Sequence, residues 1–235
     1  NNLEFDHADI FSDLADIERQ FHQFVRIVPG SGTLIVNGTD AALSRVLEKG
    51  TWAPVQRFGV AEDWNAADEA DDGSFIVYRH TKELGRIRWS LSGEHNRMNA
   101  LAAIAAAAHA GVEPAAAIEA LAGFEGVRRR MEARGTVRGI TVYDDFAHHP
   151  TAIAATIAGL RRRVGPARIL AVLEPRSNTM KLGVMKDRLP ASVAAADRIY
   201  VYDANLGWDA AQVFAPLAAR AWSGADLGAL VERVA

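Results

Sequence analysis

Residues 139–173 read GITVYDDFAHHPTAIAATIAGLRRRVGPARILAVL and hold the clearest fold signal in the chain. They predict an apolar strand from Gly139 to Tyr143, a helix from Pro150 to Arg163 and a second strand from Arg168 to Leu173. The alternation continues with a helix over 191–196 and a strand over 198–202. Strands that alternate with helices predict a parallel sheet covered on both faces, so we expect an α/β fold.

The composition narrows the class of protein. The chain has 235 residues, 49% of them hydrophobic and 23% charged, which suits one large domain or two small ones. A formal net charge of −3 argues against a nucleic-acid surface. The chain has no cysteine and no run of about 20 apolar residues, the length that a membrane span requires. We therefore expect a cytoplasmic protein with neither nucleic acid nor a membrane as partner.

The first half of the chain predicts a separate domain. Its polar start, NNLEFDHADIF, favours a chain that continues an N-terminal part of the same polypeptide. We predict a helix after Ser12 as its N-cap, an acidic loop over 62–72 and a strand over 86–91. An alanine-rich helix follows Asn96, and the glycines of 123–126 indicate a linker. This divides the chain into residues 1–126 and 127–235.

Four polar clusters carry the candidate chemistry. The first comprises Asn2, Glu4, Asp6, His7 and Asp9, whose oxygen and imidazole ligands suit Mg²⁺. Its alternative interpretation is a solvated acidic loop that leads into a helix, where negative charge is favourable.

The second cluster is GEHNRMN, residues 93–99. Asn96 and Asn99 are three residues apart and share a helix face. Their amides offer the donor and acceptor that complement an adenine edge. The alternative is that Asn96 only caps the helix.

The third cluster joins RRRME, residues 128–132, with YDDFAHHP, residues 143–150. Asp144 and Asp145 follow a predicted strand, at the sheet edge where open α/β folds bind ligands, and such a carboxylate can accept both ribose hydroxyls. An arginine in the preceding linker can stabilise charge on a transferring phosphoryl group. Solvated arginines and an aspartate pair before a helix are the alternatives.

The fourth cluster is LEPRSNTMKLG, residues 173–183, which follows another predicted strand. Its Arg176 and Lys181 suit the binding of carboxylates.

The order of these motifs resembles the Mur ligases of peptidoglycan synthesis over nearly the whole chain. The resemblance implies the end of a central P-loop-type ATPase domain, residues 1–126, followed by a Rossmann-like C-terminal domain, residues 127–235. It implies an ATP- and Mg²⁺-dependent ligase that joins the tripeptide L-Ala-γ-D-Glu-meso-diaminopimelate to UDP-N-acetylmuramate through an acyl phosphate. The alternatives are the branch of the family that adds L-alanine and a noncatalytic nucleotide-binding module.

The resemblance also implies a role for each matching residue. His7 and Glu4 would hold Mg²⁺, and Arg130 would reach the γ-phosphate, so that Arg130 and His7 are the catalytic candidates. The nucleotide would contact His95, Asn96, Asn99, Arg130 and Asp145. The peptide substrate would contact His148, Arg176, Asn178 and Lys181.

Two departures from the family pattern are visible. The chain contains no Gly-Lys-Thr or Gly-Lys-Ser phosphate loop, so we expect these residues alone to be inactive. No lysine precedes Lys49, so the carbamylated lysine of several relatives has no counterpart here.

Overall fold

A computed structural model describes residues 1–70, 72–89, 91 and 93–235. It divides into two compact units. The first unit comprises Asn1–Phe5 and Phe11–Gly126, and the second comprises Asp6–Ile10 and Val127–Ala235. We call the five residues Asp6–Ile10 the 6–10 segment. Both units mix helices with parallel strands, so the predicted α/β class is confirmed.

The first unit has a five-stranded mixed sheet. Its first three strands are parallel, and the last two continue it as an antiparallel meander. In chain order the elements are α1 (Leu14–Arg26), β1 (Leu34–Asn37), α2 (Ala41–Glu48), β2 (Val55–Phe58), β3 (Trp64–Ala67), β4 (Phe75–Arg79), β5 (Lys82–Ile87), α3 (Glu94–His109) and α4 (Pro114–Ala122). The sheet order is β1-β2-β3-β4-β5.

The alanine-rich helix α3 lies directly on this sheet. Its buried Leu101 and Ile104 pack with Phe58 and Trp64 of the sheet, in one hydrophobic cluster. Alanines at positions 100 and 105 are buried in the same cluster and allow the helix backbone to approach the strands closely. The helices α1 and α2 form a second cluster with β1. Dense packing therefore fixes the middle of α3 on the sheet.

Three local predictions in the first unit differ from the structure. The N-cap of α1 is Asp13, whose carboxylate accepts the amide of Asp16 at 2.8 Å, and not Ser12. The strand β3 lies inside the predicted acidic loop, because Trp64 is fully buried and its Nε1 donates to Gln56 at 2.9 Å. The predicted strand over 86–91 overlaps only the end of β5. Asp71 of the loop prediction and Ser90 of the strand prediction lie outside the described residues.

The second unit has a three-stranded parallel sheet and a separate hairpin. In chain order the elements are β6 (Glu132–Val137), β7 (Ile140–Asp144), α5 (Pro150–Val164), β8 (Leu170–Leu173), α6 (Asn178–Leu182), α7 (Leu189–Ser192), β9 (Arg198–Tyr202), α8 (Ala210–Phe214), β10 (Ala221–Gly224) and α9 (Leu227–Val234). The parallel sheet has the order β10-β9-β8. Its core centres on Ile199 and Val201 of β9, and helix α5 adds Ile153 and Ile157.

The prediction that 139–143 joins the parallel sheet is wrong. The strand β7 pairs antiparallel with β6 in a two-stranded sheet. Arg138 and Gly139 between them have φ values of 51° and 79°, the positive pair that a tight hairpin turn requires. The chain therefore reverses direction within two residues, and β7 pairs with β6. In the part of the chain that the structure describes, no helix is long and apolar enough to cross a membrane.

Candidate functional site

Arg130 lies in a tight turn held by the segment that follows β7. Its neighbours Arg129 and Met131 have φ values of 57° and 50°, a left-handed conformation that is costly for side chains of this size. The carboxylate of Asp145 accepts the Met131 amide at 2.8 Å. The Phe146 amide donates to the Arg129 carbonyl at 2.8 Å. These two bonds on either side of Arg130 maintain the turn and join two motifs that the sequence presents separately.

The half-buried carboxylate of Asp145 is bonded at both oxygen atoms. Oδ2 accepts the Met131 amide, while Oδ1 accepts the Ala147 amide at 2.7 Å and lies 3.4 Å from the Thr156 hydroxyl. A carboxylate has about four acceptor directions, so capacity remains for a ligand hydroxyl. Asp145 therefore holds the turn of Arg130, a role that the sequence did not predict, and can still accept a further donor.

The side chains around this turn are mostly cationic. The guanidinium of Arg129 lies 5.0 Å from the centre of the Phe146 ring, and its Nε is 3.5 Å from Asp144 Oδ2. Glu132 accepts the Arg129 amide at 2.9 Å, and this bond, together with Arg134, lowers the pKa of the Glu132 carboxyl below its ordinary value. The turn combines left-handed backbone with three local carboxylates, Glu132, Asp144 and Asp145, so its geometry is well defined.

The 6–10 segment packs on the start of α6 within the second unit. The side-chain amide of Asn178 donates to Asp9 at 2.8 Å. The Ala8 amide donates to the buried hydroxyl of Thr179 at 3.1 Å. The bond from Asn178, more than an internal backbone bond, lowers the pKa of the Asp9 carboxyl. Exposed His7, with φ of 52°, is thereby held beside this loop.

His148 also lies near the 6–10 segment. Its Nε2 lies 3.9 Å from Asp6 Oδ2, and its Nδ1 lies 3.0 Å from the Phe146 carbonyl. The adjacent His149 is the N-cap of α5, where its Nδ1 accepts the Thr151 amide at 3.3 Å. The two histidines therefore have different roles: His148 lies near the 6–10 segment, and His149 caps α5.

The loop after β8 presents the remaining predicted residues of the second unit. Ser177 is the N-cap of α6, and Gly183 ends the helix in the left-handed conformation with φ of 74°. Arg176 and Lys181 are exposed, and within the described residues Arg176 makes no ion pair. Both cationic side chains are therefore available to an anionic ligand.

The first unit holds Glu4, His95, Asn96 and Asn99. The N-cap of α3 is Gly93, with no side-chain capping bond, so the interpretation of Asn96 as the N-cap is wrong. The Asn99 amide oxygen accepts the side-chain amide of Asn1, and Glu4 accepts that of Asn2 at 2.9 Å. A cleft of about 120 Å³ opens beside the first turn of α3, and it is lined by Thr39, Gly59, Asn65, Ala66, Glu94, Arg97, Met98 and Leu101.

This cleft lies where β1 and β2 end and α3 begins, which is the edge at which open α/β sheets bind ligands. Asn96 and Asn99 are not among its lining residues.

The donor set is compatible with Mg²⁺. Among the residues that the structure describes, no group of three or more histidine or acidic side chains is arranged to hold a metal ion. Glu4 and His7 fall in different compact units. Mg²⁺ at phosphate sites needs only one or two protein ligands, because phosphate oxygens and waters complete its shell. A carboxylate and an exposed imidazole fit that requirement by their chemistry.

The structure thus groups some predicted residues and leaves others apart. Arg130 and Asp145 belong to one bonded turn. His148 and Asn178 contact the 6–10 segment, which contains His7. Sequence reasoning missed Phe146, which contacts Arg130 and His148, and Thr179, which accepts the Ala8 amide. The only signal for either was its place inside a quoted motif.

Two family models match the chain in succession. The Mur ligase middle domain matches residues 1–107, and the Mur ligase, glutamate ligase domain matches residues 129–235. The chain therefore belongs to the Mur ligase family.

Individual relatives resemble this chain along its whole length. The UDP-N-acetylmuramate–L-alanyl-γ-D-glutamyl-meso-2,6-diaminoheptandioate ligase of Escherichia coli K12 is 50% identical over 238 residues, covering 100% of this chain and 52% of that protein. The protein of the same name from Haemophilus influenzae is 44% identical, with the same coverage. The crystal structure of a murein peptide ligase from Psychrobacter arcticus matches with a TM-score of 0.69 and 37% identity, over 95% of this chain and 49% of that chain. The chain spans about half the length of the curated relatives it matches.

Proposed function

We propose that the protein carrying this chain is a cytoplasmic ATP-dependent ligase that joins L-Ala-γ-D-Glu-meso-diaminopimelate to UDP-N-acetylmuramate. The observation that carries the proposal is the 50% identity, over the whole chain, to the E. coli ligase of that name. The second unit supports it, because Arg176 and Lys181 are exposed after β8, and Asn178 and His148 lie against the 6–10 segment. The product would enter the recycling of peptidoglycan, and so cell-wall synthesis, cell shape and division.

The reaction would proceed in two steps. The muramyl carboxylate takes the γ-phosphoryl group of ATP to give an acyl phosphate and ADP. The amine of the tripeptide then attacks the acyl carbon, and inorganic phosphate leaves. The contribution of the protein is to position the reactants and neutralise charge, which are the main catalytic effects in phosphoryl transfer.

Each predicted residue has a place in this scheme. His7 and Glu4 would hold Mg²⁺, which supplies charge neutralisation at the phosphates. Arg130 would contact the transferring phosphoryl group. His95, Asn96 and Asn99 would bind adenine, and Asp145 would accept the ribose with its remaining acceptor capacity.

The amine substrate would bind near the loop after β8. The tripeptide has three carboxylates, whereas L-alanine has one, so its recognition requires additional cationic partners. Exposed Arg176 and Lys181 fit this role. Asn178 and His148 lie beside the 6–10 segment that carries His7, so they would link peptide binding to the phosphoryl-transfer site.

The test is a ligation assay on the full-length gene product. Phosphate release should require ATP, UDP-N-acetylmuramate and tripeptide together, and mass spectrometry should detect the UDP-linked product. A preference for L-alanine as the amine would assign the protein to the L-alanine-adding branch. ATP binding without ligation of either amine would identify a noncatalytic nucleotide-binding module.

A further inference from the structure

Phe146 is an exposed aromatic side chain with two cations beside it. The residue is 48% exposed, although it directly follows the bonded Asp145. The guanidinium carbons of Arg129 and Arg130 lie 5.0 Å and 5.8 Å from the centre of its ring, both inside the distance at which a cation is attracted to an aromatic face.

Core packing does not account for this ring. The hydrophobic cluster of the second unit takes in the next residue, Ala147, as a partly buried neighbour, but it does not include Phe146. The ring instead contacts the two guanidinium groups and the edge of His148, with ring centres 5.1 Å apart and planes at 71°. The Phe146 ring therefore contacts charged and polar side chains and does not pack in the hydrophobic core.

The two arginines on the ring differ in their other contacts. Arg129 has a carboxylate partner, Asp144. Arg130 makes no ion pair within the described part of the chain, so the ring face is the contact that orients its guanidinium. A cation–π contact differs from an ion pair in one important respect, because it holds the guanidinium without using its N–H donors. All five donors of Arg130 remain available to an anion.

We propose that Phe146 is the positioning residue of Arg130, and that it orients the guanidinium toward the transferring phosphoryl group without neutralising it. The inference rests on the proposed function, in which Arg130 meets the γ-phosphate. Asp145 and Phe146 then both position Arg130, but through different parts of the residue. Asp145 fixes the backbone of the turn through Met131, and the Phe146 ring fixes the direction of the side chain.

Phe146→Leu and Phe146→Tyr in the full-length protein test this directly. Phe146→Leu keeps an apolar side chain and removes the ring, so kcat for ligation should fall by about 2- to 30-fold, the range of a cation–π contact. KM for ATP should change by less than about twofold, because the loss falls mainly in the transition state. Phe146→Tyr keeps the ring and should restore kcat.

Repeating the Phe146→Leu change in Arg130→Ala protein shows whether Phe146 acts through Arg130. If Phe146 acts through Arg130, Phe146→Leu should cause no further loss of kcat in Arg130→Ala protein. An additional loss there, or an unchanged kcat in Phe146→Leu alone, would overturn the proposal. A raised KM for ATP with normal kcat would also overturn it, since the ring would then serve as a stacking surface for the base.

NMR can test the contact between Phe146 and Arg130 without measuring ligase activity. The ring current of Phe146 should shift the Arg130 Nε–H proton upfield, and Phe146→Leu should abolish that shift while Phe146→Tyr retains it. An Arg130 signal that is the same in all three proteins contradicts the positioning role. A wild-type protein that shows the shift but does not ligate contradicts the proposed function alone.

Discussion

The side-chain amide of Asn178 donates a 2.8 Å hydrogen bond to the carboxylate of Asp9, a residue 169 positions earlier in the chain. The bond from the Ala8 amide to Thr179 lies next to it. Two neighbouring residues of the 6–10 segment are thus bonded to two neighbouring residues of the loop after β8. His7, one of the two residues proposed to hold Mg²⁺, directly precedes this contact.

We predict that Asp9 and Asn178 are energetically coupled in the ligation reaction. Asn178→Ala and Asp9→Ala should each lower kcat/KM for the tripeptide by about 2- to 10-fold, the range of one hydrogen bond of ordinary strength. The double variant should lose less than the product of the two factors, because both single changes break the same bond. Steady-state kinetics of the four proteins gives the coupling. Exposed Glu119→Ala is the acidic control, and strictly multiplicative losses would show that the bond has no functional role.

Arg176 should determine the choice of amine substrate. Arg176→Lys keeps the charge and loses the planar fork that pairs with a carboxylate at two points. KM for the tripeptide should rise by roughly 10-fold, the equivalent of about 1.4 kcal/mol, while KM for ATP stays nearly constant. Kinetics with tripeptide and, separately, with L-alanine measures the effect. Lys186→Arg is a matched control in the same region, and an unchanged tripeptide KM in Arg176→Lys excludes this contact.

Asp145→Ala should affect both nucleotide binding and the stability of the second unit. The change removes the acceptor of the Met131 and Ala147 amides, and we expect a loss of about 1.5–3 kcal/mol in the free energy of unfolding. KM for ATP should rise because the proposed ribose acceptor is lost, and kcat should fall because the turn of Arg130 is released. Urea unfolding and kinetics separate these effects. A variant with a raised KM and full stability would show that the two backbone bonds are dispensable.

Glu18 should stabilise the first unit. It is only 6% exposed, and its Oε1 accepts Nε and Nη2 of Arg45 at 3.0 Å and 2.6 Å. Glu18→Ala removes this acceptor from a buried position, so we predict a loss of about 1–3 kcal/mol in the free energy of unfolding. Glu48→Ala alters a neighbouring exposed carboxylate of α2 and should change stability by less than about 0.5 kcal/mol. Equal losses in both variants, measured by urea unfolding, would contradict the assignment.

Asp197 should make the second unit sensitive to acid. Its carboxylate accepts the Ile169 amide at 2.8 Å and Arg161 at 2.6 Å, and these bonds lower its pKa below the ordinary 3.8. The unfolded chain therefore binds the proton more readily than the folded one. The stabilisation is present above pH 3.8 and is lost as the pH falls through the lowered folded-state pKa.

The variant for this test is Asp197→Asn. It should be less stable than wild type at neutral pH, and the difference should shrink on acidification below pH 3.8. Unfolding curves at several pH values measure it, with exposed Asp187→Asn as control. A stability difference that does not change with pH would show that the charge of Asp197 is unimportant.

Some helices and strands followed from the local sequence and others did not. The predicted strand over 198–202 coincides with β9, whereas the predicted helix over 191–196 overlaps α7 only at Ala191 and Ser192. The helix α3 follows from its alanines, and α4 from Pro114, because helical propensity is a local property. The strand β10 has the sequence AWSG, in which only Trp222 favours a strand, and it forms because it pairs with β9. The hairpin β6–β7 was missed because the turn at Arg138 and Gly139 has no strong sequence signal at its first position.

The site divides in a similar way. The sequence alone provided the residue types of the four clusters. The family resemblance then implied the role of each residue. The contacts among these residues were not available from the sequence, because Asp9 and Asn178 meet only once the chain has folded. The bond from Asp145 to Met131 was also out of reach, since it depends on the positive φ values beside Arg130.

The second unit is discontinuous in sequence, and this determines how it can be excised. A gene fragment that starts at Val127 encodes every helix and strand of the unit, yet it omits Asp6–Ile10. The hydroxyl of Thr179 and the amide of Asn178 would lose their partners in such a fragment. Ligand titrations on a fragment that begins at Val127 would therefore measure binding to the loop after β8 without the 6–10 segment that packs on it. A faithful minimal version of this domain needs the five residues restored, for example fused ahead of Val127 through a flexible linker.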